Sequence, residues 1–320
     1  MIRALYAELG QNMWFQEAPA LEFEDATWQR IVEKAVELGF NQIVLDLGEG
    51  VHYASHPELA HPGAWTRERV REEVRSLKEK GIALIPKFNF SACHHLWLGD
   101  YRRMLGLPEY YRVCRDLISE VYDLFDKPEY IHIGMDEEGD TRFFRNMDLV
   151  AYRQGELLWH DLQFLLDCVR DTGAMPWIWA DIAFLEPEEF RKRIKPGSVM
   201  LSPWNYRGLK EEHYTPIAGS IYEDYYKGTG YTYVEEDPLC VRYMENSIPT
   251  AKDGYDIVPC ASVIWNEYNA DDVVEYFMQN MTDHTAGFMV APWQTTTGEF
   301  EDEIIKNMEA LKAALDKFCK

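Results

Sequence analysis

Three consecutive carboxylates follow a short apolar segment near the middle of the chain. Residues 130–134 read Tyr-Ile-His-Ile-Gly, the composition of a buried strand, and Asp136, Glu137 and Glu138 follow shortly after. In parallel α/β folds, ligands bind at the carboxyl ends of the strands. A neighbouring anion raises the pKa of a carboxyl group that must stay protonated, so adjacent acids suit acid/base chemistry. We therefore take the three acids Asp136, Glu137 and Glu138 as the candidate catalytic centre.

The composition is that of a large globular domain with an acidic surface. The chain has 320 residues, of which 47% are hydrophobic and 27% charged, and its formal net charge is −23. This charge argues against nucleic acid or an anionic membrane as a partner and is compatible with a neutral substrate. No apolar run approaches the roughly 20 residues that a membrane span needs. No signal peptide is visible, so we expect a cytoplasmic protein.

Neither a metal nor a cofactor is indicated by the sequence. The six cysteines are widely scattered without a Cys-x-x-Cys pair, so we expect reduced thiols rather than a zinc ribbon or a redox motif. The segment Leu9-Gly10-Gln11-Asn12 after the first predicted strand is not a glycine-rich phosphate turn.

An amphipathic helix, a glycine and an apolar strand recur in this order along the chain. Trp28 and Ile31 begin an apolar face at helical spacing, and Gly39 follows as a helix C-terminal residue. Thr66 is a plausible N-cap of the next helix, and Gly81 ends it. This alternation is typical of a parallel sheet covered by helices on its outer face.

The strand count predicts an α/β fold, a single (β/α)₈ TIM barrel over residues 1–320. Eight nearly continuous apolar runs are predicted as strands near residues 2–8, 42–47, 82–88, 130–134, 175–180, 198–203, 257–265 and 286–292, with a final helix over 299–318. A doubly wound open sheet is the alternative, but it usually has fewer strands. The aromatic-rich region around 207–256 is irregular, and we expect it to be a functional insertion.

Polar and aromatic residues collect at the carboxyl ends of the predicted strands. The chain has 10 Trp and 19 Tyr, and sugar-binding clefts need flat apolar faces with polar tips. The candidates for a carbohydrate pocket at these ends are His94, Trp177, Trp179, Asp181, Trp204, Tyr206, Trp265, Glu267 and Trp293. Any single tryptophan at a barrel mouth can instead serve as packing.

Carboxylates after the fourth and seventh predicted strands fit a glycosidase. Hydrolysis of a glycosidic bond needs a protonated acid for the leaving oxygen and a second group that stabilises or captures the oxocarbenium-like centre. Asp136 and Glu137 follow one of these strands, and Glu267 follows the other. An isolated acidic triplet is commonly a solvated turn, but its position directly after a buried barrel strand favours a catalytic role.

The residues around the fourth strand resemble a known family. The segment 132–137, His-Ile-Gly-Met-Asp-Glu, is similar to the His-x-Gly-Gly-Asp-Glu signature of the family 20 glycoside hydrolases, the β-N-acetylhexosaminidases. Residues 84–86, Leu-Ile-Pro, resemble a phrase of that family's third strand, and His94 stands for the histidine that follows it. Residues 265–267, Trp-Asn-Glu, resemble its Trp-Thr-Glu.

The sequence departs from this family's pattern at several positions. Met135 replaces the second glycine, and Lys87 and Asn89 stand where the family usually has acids. Gln11 or Asn12 stands about where an arginine normally binds the sugar hydroxyls. The small domain that usually precedes the barrel is not seen before the first predicted strand.

The resemblance implies a retaining exo-β-glycosidase in which the substrate's 2-acetamido oxygen is the nucleophile. It implies Glu137 as the general acid/base and Asp136 as the group that orients the acetamido N–H, with His132 framing the motif. Glu138 is left as a supporting or surface residue. It also implies a tyrosine that binds the acetamido carbonyl, for which Tyr206, Tyr225 and Tyr226 are candidates. The strand-end tryptophans would form walls around the sugar, and Glu267 would hold its hydroxyls.

Three other readings remain open at this point. In a retaining glycosidase with an enzyme nucleophile, Glu137 or Glu138 would be the acid/base and Glu267 the nucleophile, with the two carboxyls roughly 5–5.5 Å apart. A metal-dependent barrel enzyme could draw on His52, His56, His61, His94, His95 and His132, although no His-Glu-x-x-His pattern is present. A non-catalytic sugar-binding barrel is the third.

Overall fold

The fold consists of parallel strands surrounded by helices. The structure is a computed structural model, and it describes residues 1–13, 18–138, 153–206, 208–210, 213, 246–280 and 282–319. The strands are β1 (Ile2–Glu8), β2 (Gln42–Asp46), β3 (Ala83–Lys87), β4 (Tyr130–His132), β5 (Met175–Trp179), β6 (Met200–Ser202), β7 (Asp256–Ile257), β8 (Cys260–Ala261) and β9 (Gly287–Val290). The helices are α1 (Asp25–Leu38), α2 (Arg67–Glu79), α3 (Pro108–Leu124), α4 (Gly155–Thr172), α5 (Asp181–Leu185), α6 (Pro187–Arg193), α7 (Asn269–Gln279) and α8 (Glu301–Phe318). Short 3₁₀ segments follow β2 and β3, at Pro57–Leu59 and Leu96–Arg103.

The sheet closes on itself through an interrupted strand. Its order is β7-β6-β5-β4-β3-β2-β1-β9-β8, and the paired strands are parallel. β7 pairs with β6 and β8 pairs with β9, while only Val258 and Pro259 separate β7 from β8 in the chain. Proline has no N–H to donate to a strand ladder, which accounts for the interruption. The predicted α/β barrel is confirmed, with its seventh strand in two pieces.

The seventh strand is shorter than the sequence predicted. It was expected over 257–265 but ends at residue 261, and the prediction for the last four residues is wrong. Beyond residue 261 a side-chain amide replaces the neighbouring strand as acceptor, because Ser262 N donates to Asn269 Oδ1 at 2.9 Å. Trp265 and Glu267 therefore lie in the turn before α7 and not directly at a strand end.

The helix boundaries follow the signals in the sequence. Trp28 and Ile31 lie on the buried face of α1, and Gly39 ends the helix with a φ of 77°. Left-handed backbone is free of strain only for glycine, which explains this residue type at the C-terminus. Thr66 caps α2, its Oγ1 accepting a hydrogen bond from Arg69 N at 3.2 Å.

Among the described residues, no helix is long and apolar enough to cross a membrane.

Two further expectations are resolved only in part. Most of the predicted insertion around 207–256 lies outside the described residues, so its function stays a prediction, and residues 246–252 are helical. The cysteines that the structure describes are thiols without a disulfide, as predicted: Cys93, Cys114, Cys168, Cys260 and Cys319.

The barrel interior changes from apolar to polar toward the carboxyl ends of the strands. Its apolar part includes Ala4, Val44, Ile85, Met200 and Met289. The strand register places Glu8, Asp46, Lys87 and His132 at one level above them. Asp46 Oδ2 accepts hydrogen bonds from Lys87 Nζ and, at 3.1 Å, from Tyr6 Oη. Lys87 is 0% and Asp46 1% exposed, so an ion pair lies inside the barrel.

We expect Lys87→Met to lower the free energy of unfolding by about 3–5 kcal/mol, because it leaves the buried charge of Asp46 without its partner. Urea unfolding followed by tryptophan fluorescence measures this. The matched control is the double variant Lys87→Met/Asp46→Leu, which removes both charges and should lose less stability than the single variant. Equal losses in the two variants would contradict the role assigned to this ion pair.

Candidate active site

The turn after β4, which carries Asp136 and Glu137, contains left-handed backbone at three positions. The φ angles are 74° at Gly134, 72° at Met135 and 52° at Glu137. Such backbone at a non-glycine residue costs on the order of 1–3 kcal/mol and concentrates at functional sites. A Cβ at Gly134 would lie 2.2 Å from Asn89 Oδ1, so the glycine also makes room for this side chain. The turn therefore brings Asn89, from the loop after β3, against the two acids.

His94 contacts both carboxylates through one nitrogen. Its Nε2 lies 3.0 Å from Oε2 of Glu137 and 3.1 Å from Oδ2 of Asp136. Asn89 Nδ2 donates to the other oxygen of Asp136, Oδ1, at 2.9 Å. The side chains of His94, Asp136 and Glu137 are 4%, 12% and 20% exposed. Glu137 is the most accessible of the three side chains.

Within this cluster, the charge of His94 and the charges of the carboxylates stabilise one another. Burial disfavours the imidazolium form of His94, but Asp136 and Glu137 outweigh burial and raise the His94 pKa to about 10. Burial also opposes ionisation of Asp136, yet His94 and Lys87, with the hydrogen bond from Asn89, hold its pKa below the ordinary range. At neutral pH the cluster therefore contains a charged His94 and an ionised Asp136.

Asp181, at the start of α5, contacts the same turn from the side opposite β3. Its Oδ1 accepts a hydrogen bond from Glu137 N at 3.2 Å, and its Oδ2 accepts one from Trp204 Nε1 at 2.8 Å. Burial, followed by the nearby charge of Asp136, raises the pKa of Asp181 to about 8. At neutral pH this carboxyl is mostly protonated, so it can hold the backbone of Glu137 without adding a full negative charge.

Aromatic rings extend from Asp181 toward the surface. Trp204 stacks on Tyr206 with ring centroids 5.1 Å apart, and Tyr206 lies 5.4 Å from Trp265 and 6.0 Å from Trp293. Trp265 is 51% exposed. Burial raises the pKa of Tyr206, and Cys260 and Asp136 add to the shift. These rings could form one wall of a pocket beside the acids.

Trp177, Trp179 and His132, expected as pocket residues, lie inside the barrel. All three are buried. Trp177 Nε1 donates to Ser202 Oγ at 2.8 Å, and His132 Nδ1 accepts from Gly134 N at 3.1 Å. The His132 and Trp179 ring centroids are 5.1 Å apart. Alternate residues of a strand point into the barrel, so these side chains form a floor beneath the acids and not an open wall.

Three predicted site residues remain, one described and two not. Glu267 is exposed in the turn before α7, and no contact between the parts of the chain that the structure describes links it to Asp136 or Glu137. Tyr225 and Tyr226 lie outside the described residues.

Glu138 is a buried ion-pair partner, so of the two expected positions it has the supporting one and not the surface one. Its Oε1 lies 3.1 Å from Nη1 of Arg153, and its Oε2 accepts a hydrogen bond from Ala92 N at 2.6 Å. Sequence reasoning also missed Arg153 and the role of Asn89. Asn89 had a usable signal, because it follows a predicted strand and precedes His94. Arg153 had none, because its partners come from four separate segments.

Within the described part of the chain, one group of side chains has the spacing of metal ligands. One atom each from His94, Asp136 and Glu137 lies within 4.8 Å of the others. The distances of 3.0 and 3.1 Å from Nε2 to the carboxylates are those of charge-assisted hydrogen bonds, which account for the spacing. His56, considered for a metal site, contacts Glu58 instead.

No protein-family model matches the chain, and no curated protein matches it in sequence. Solved structures match its fold. The β-N-acetylhexosaminidase of Bacteroides fragilis NCTC 9343 aligns with a TM-score of 0.64 and 15% identity over 98% of this chain and 65% of its own. The family 20 exo-β-N-acetylglucosaminidase of Vibrio harveyi, in complex with N-acetylglucosamine, aligns with a TM-score of 0.60 and 14% identity over 97% of this chain and 54% of its own.

A mutant β-hexosaminidase of Streptomyces plicatus, in complex with the product N-acetylglucosamine, aligns with a TM-score of 0.62 and 12% identity over 97% of this chain and 63% of its own. The chain shares its barrel fold with these three hexosaminidases. This agrees with the resemblance of the sequence around β4. The chain spans 54–65% of the length of these three solved chains.

Folding raises the pKa of His94 from 6.5 to about 10, so the folded state binds this proton more tightly than the unfolded chain does. The stability difference between wild type and His94→Gln should be largest below pH 6.5 and should shrink as the pH rises through 10. Urea unfolding at a series of pH values measures it. His52→Gln, at an exposed histidine, is the matched control and should leave the pH profile unchanged. A His94 contribution that grows with pH would contradict the assignment.

Proposed function

We propose that this protein is an exo-acting retaining β-N-acetylhexosaminidase that uses substrate-assisted catalysis. The observation that carries the proposal is the cluster after β4, in which His94 Nε2 lies 3.0 and 3.1 Å from the carboxylates of two adjacent residues, Glu137 and Asp136. The likeness in fold to hexosaminidases in complex with N-acetylglucosamine supports the class of sugar. The substrate is accordingly a carbohydrate with a terminal 2-acetamido sugar.

In the first step Glu137 donates its proton to the glycosidic oxygen while the bond from that oxygen to C1 breaks. The carbonyl oxygen of the substrate's own acetamido group attacks C1 and forms a cyclic oxazolinium ion. Asp136 accepts a hydrogen bond from the acetamido N–H and stabilises the positive charge that develops on this group. Glu137 becomes a carboxylate, to which the charged His94 donates.

In the second step Glu137 acts as the base. It removes a proton from a water molecule whose oxygen attacks C1, the bond from C1 to the acetamido oxygen breaks, and the neutral acetamido group is restored. Glu137 is protonated again and ready for another cycle. Two successive displacements at C1 give retention of its configuration.

The aromatic wall fits the apolar parts of such a substrate. Trp204 and Trp293 can contact the sugar ring or the acetamido methyl, and the Tyr206 hydroxyl is a candidate donor to the acetamido carbonyl. Trp265, half-exposed, is a candidate platform for the leaving group. Tyr225 remains a candidate by resemblance alone.

The position of Glu267 argues against an enzyme nucleophile. A nucleophilic carboxyl would have to lie roughly 5–5.5 Å from that of Glu137. Glu267 is an exposed residue in the turn before α7, beyond the shortened seventh strand. The substrate's acetamido oxygen therefore takes this role in the proposal.

We expect Glu137→Gln to lower kcat/KM on an aryl N-acetyl-β-glucosaminide by about 10²–10⁴-fold, through loss of acid/base catalysis. Asp136→Asn should lower it by about 10²–10³-fold, through loss of charge stabilisation in the transition state. Release of the aryl group measures both. Glu303→Gln, at an exposed residue of α8, is the matched control and should match wild type.

The same panel includes aryl β-glucosides, which lack the acetamido group. Wild type should not hydrolyse them, because the substrate then carries no nucleophile. Hydrolysis of glucosides that is lost in Glu267→Gln would replace this mechanism by one with an enzyme nucleophile.

A further inference from the structure

Arg153 is a buried cation outside the catalytic cluster, and it joins separate segments of the chain. It is 1% exposed. Its Nη1 donates to the carbonyl of Phe90 at 2.9 Å and to Glu138 Oε1 at 3.1 Å, and its Nε donates to Asp161 Oδ2 at 2.8 Å. Its Nη2 donates to the hydroxyl of Tyr110. The guanidinium thus connects α3, α4 and the loops after β3 and β4.

Glu138 contacts both Arg153 and the loop that carries His94. Its Oε1 accepts from the backbone N of Arg153 at 3.2 Å as well as from the guanidinium, and its Oε2 accepts from Ala92 N at 2.6 Å. Cys93, which follows Ala92, contacts Glu137, which precedes Glu138: Cys93 Sγ lies 3.2 Å from the carbonyl oxygen of Glu137. Ala92, Cys93 and His94 therefore contact the turn after β4 one after another.

We propose that Arg153 and Glu138 are positioning residues, which set the distance between His94 and the pair Asp136–Glu137. The expected loss of activity rests on the proposed function. The restraint that Arg153 and Glu138 place on the two loops does not. Glu138 follows Glu137 directly, and Ala92 lies two residues before His94, so the contact between Glu138 and Ala92 restrains both loops. Arg153 holds Glu138 in place for that contact through two buried hydrogen bonds to Oε1, one from Nη1 and one from its own backbone N.

Asp161 offers a matched control on the same guanidinium. It is a buried carboxylate like Glu138, but it lies on α4, and its other oxygen accepts from the Tyr111 hydroxyl at 2.5 Å. Replacing either acid by its amide removes one buried charge next to Arg153, so both changes should destabilise the fold. Only Glu138 touches the loop that carries His94.

The test compares Glu138→Gln with Asp161→Asn on an aryl N-acetyl-β-glucosaminide, together with thermal unfolding. We expect both variants to lose Tm, but only Glu138→Gln to lose kcat, by about 10–100-fold with KM within about threefold, because misplacement by about 1 Å can cost 10²-fold in rate. Arg153→Lys keeps a charge but not the planar fork, and it should lose kcat in the same way. Equal kcat losses in Glu138→Gln and Asp161→Asn would overturn the proposal.

A second measurement needs no substrate. Cys93 is 1% exposed and contacts the Glu137 carbonyl, so its alkylation by iodoacetamide, located by peptide mass spectrometry, reports on the contact between the loops. We expect Glu138→Gln and Arg153→Lys to speed labelling at Cys93 at least about tenfold, and Asp161→Asn to leave it near wild type. Unchanged labelling in Glu138→Gln overturns the proposal. An inactive wild type with faster labelling in Glu138→Gln would remove the proposed function and keep the structural role.

Discussion

The site depends on one nitrogen atom, Nε2 of His94, which lies within hydrogen-bonding distance of two carboxylates. Asp136 and Glu137 are neighbours in the chain, and without a shared cation their like charges would oppose this arrangement in a buried setting. Contact with one donor also requires both side chains to face the same point. The left-handed backbone at Met135 and Glu137 meets this requirement at a cost in local strain.

Residues on both sides of β4 hold this arrangement in place, and the residues on one side differ in charge from those on the other. The β3 side supplies cationic and amide donors, His94 and Asn89, to the carboxylates. The β5 side supplies Asp181, which burial keeps largely protonated at neutral pH and which accepts the backbone N–H of Glu137. Because Asp181 carries little charge, it can bind the turn without competing for His94. The cluster therefore has a donor side and a nearly neutral side.

The barrel and the position of the acids could be predicted from the sequence, because both depend on local patterns. Apolar runs mark strands, and the carboxyl end of a parallel strand marks where Asp136 and Glu137 lie. The end of the seventh strand could not be predicted, since the Asn269 amide replaces a strand neighbour there. Arg153 was missed for a similar reason, as its partners meet only in the folded chain. Trp177 lies in the buried barrel interior, because the strand pattern predicts which side chains point inward but not how deep in the barrel they lie.

The departures from the family pattern take part in the site. Asn89, which stands where an acid is usual, donates to Asp136, and an acid there would repel it. Lys87, at the other such position, pairs with Asp46 in the barrel interior and helps to hold the pKa of Asp136 low. Burial and Lys87 also lower the pKa of His132, so this histidine is neutral beneath the acids. An amide and a cation at the end of β3 thus stabilise the ionised form of Asp136, which is the form that can accept a hydrogen bond from an acetamido N–H.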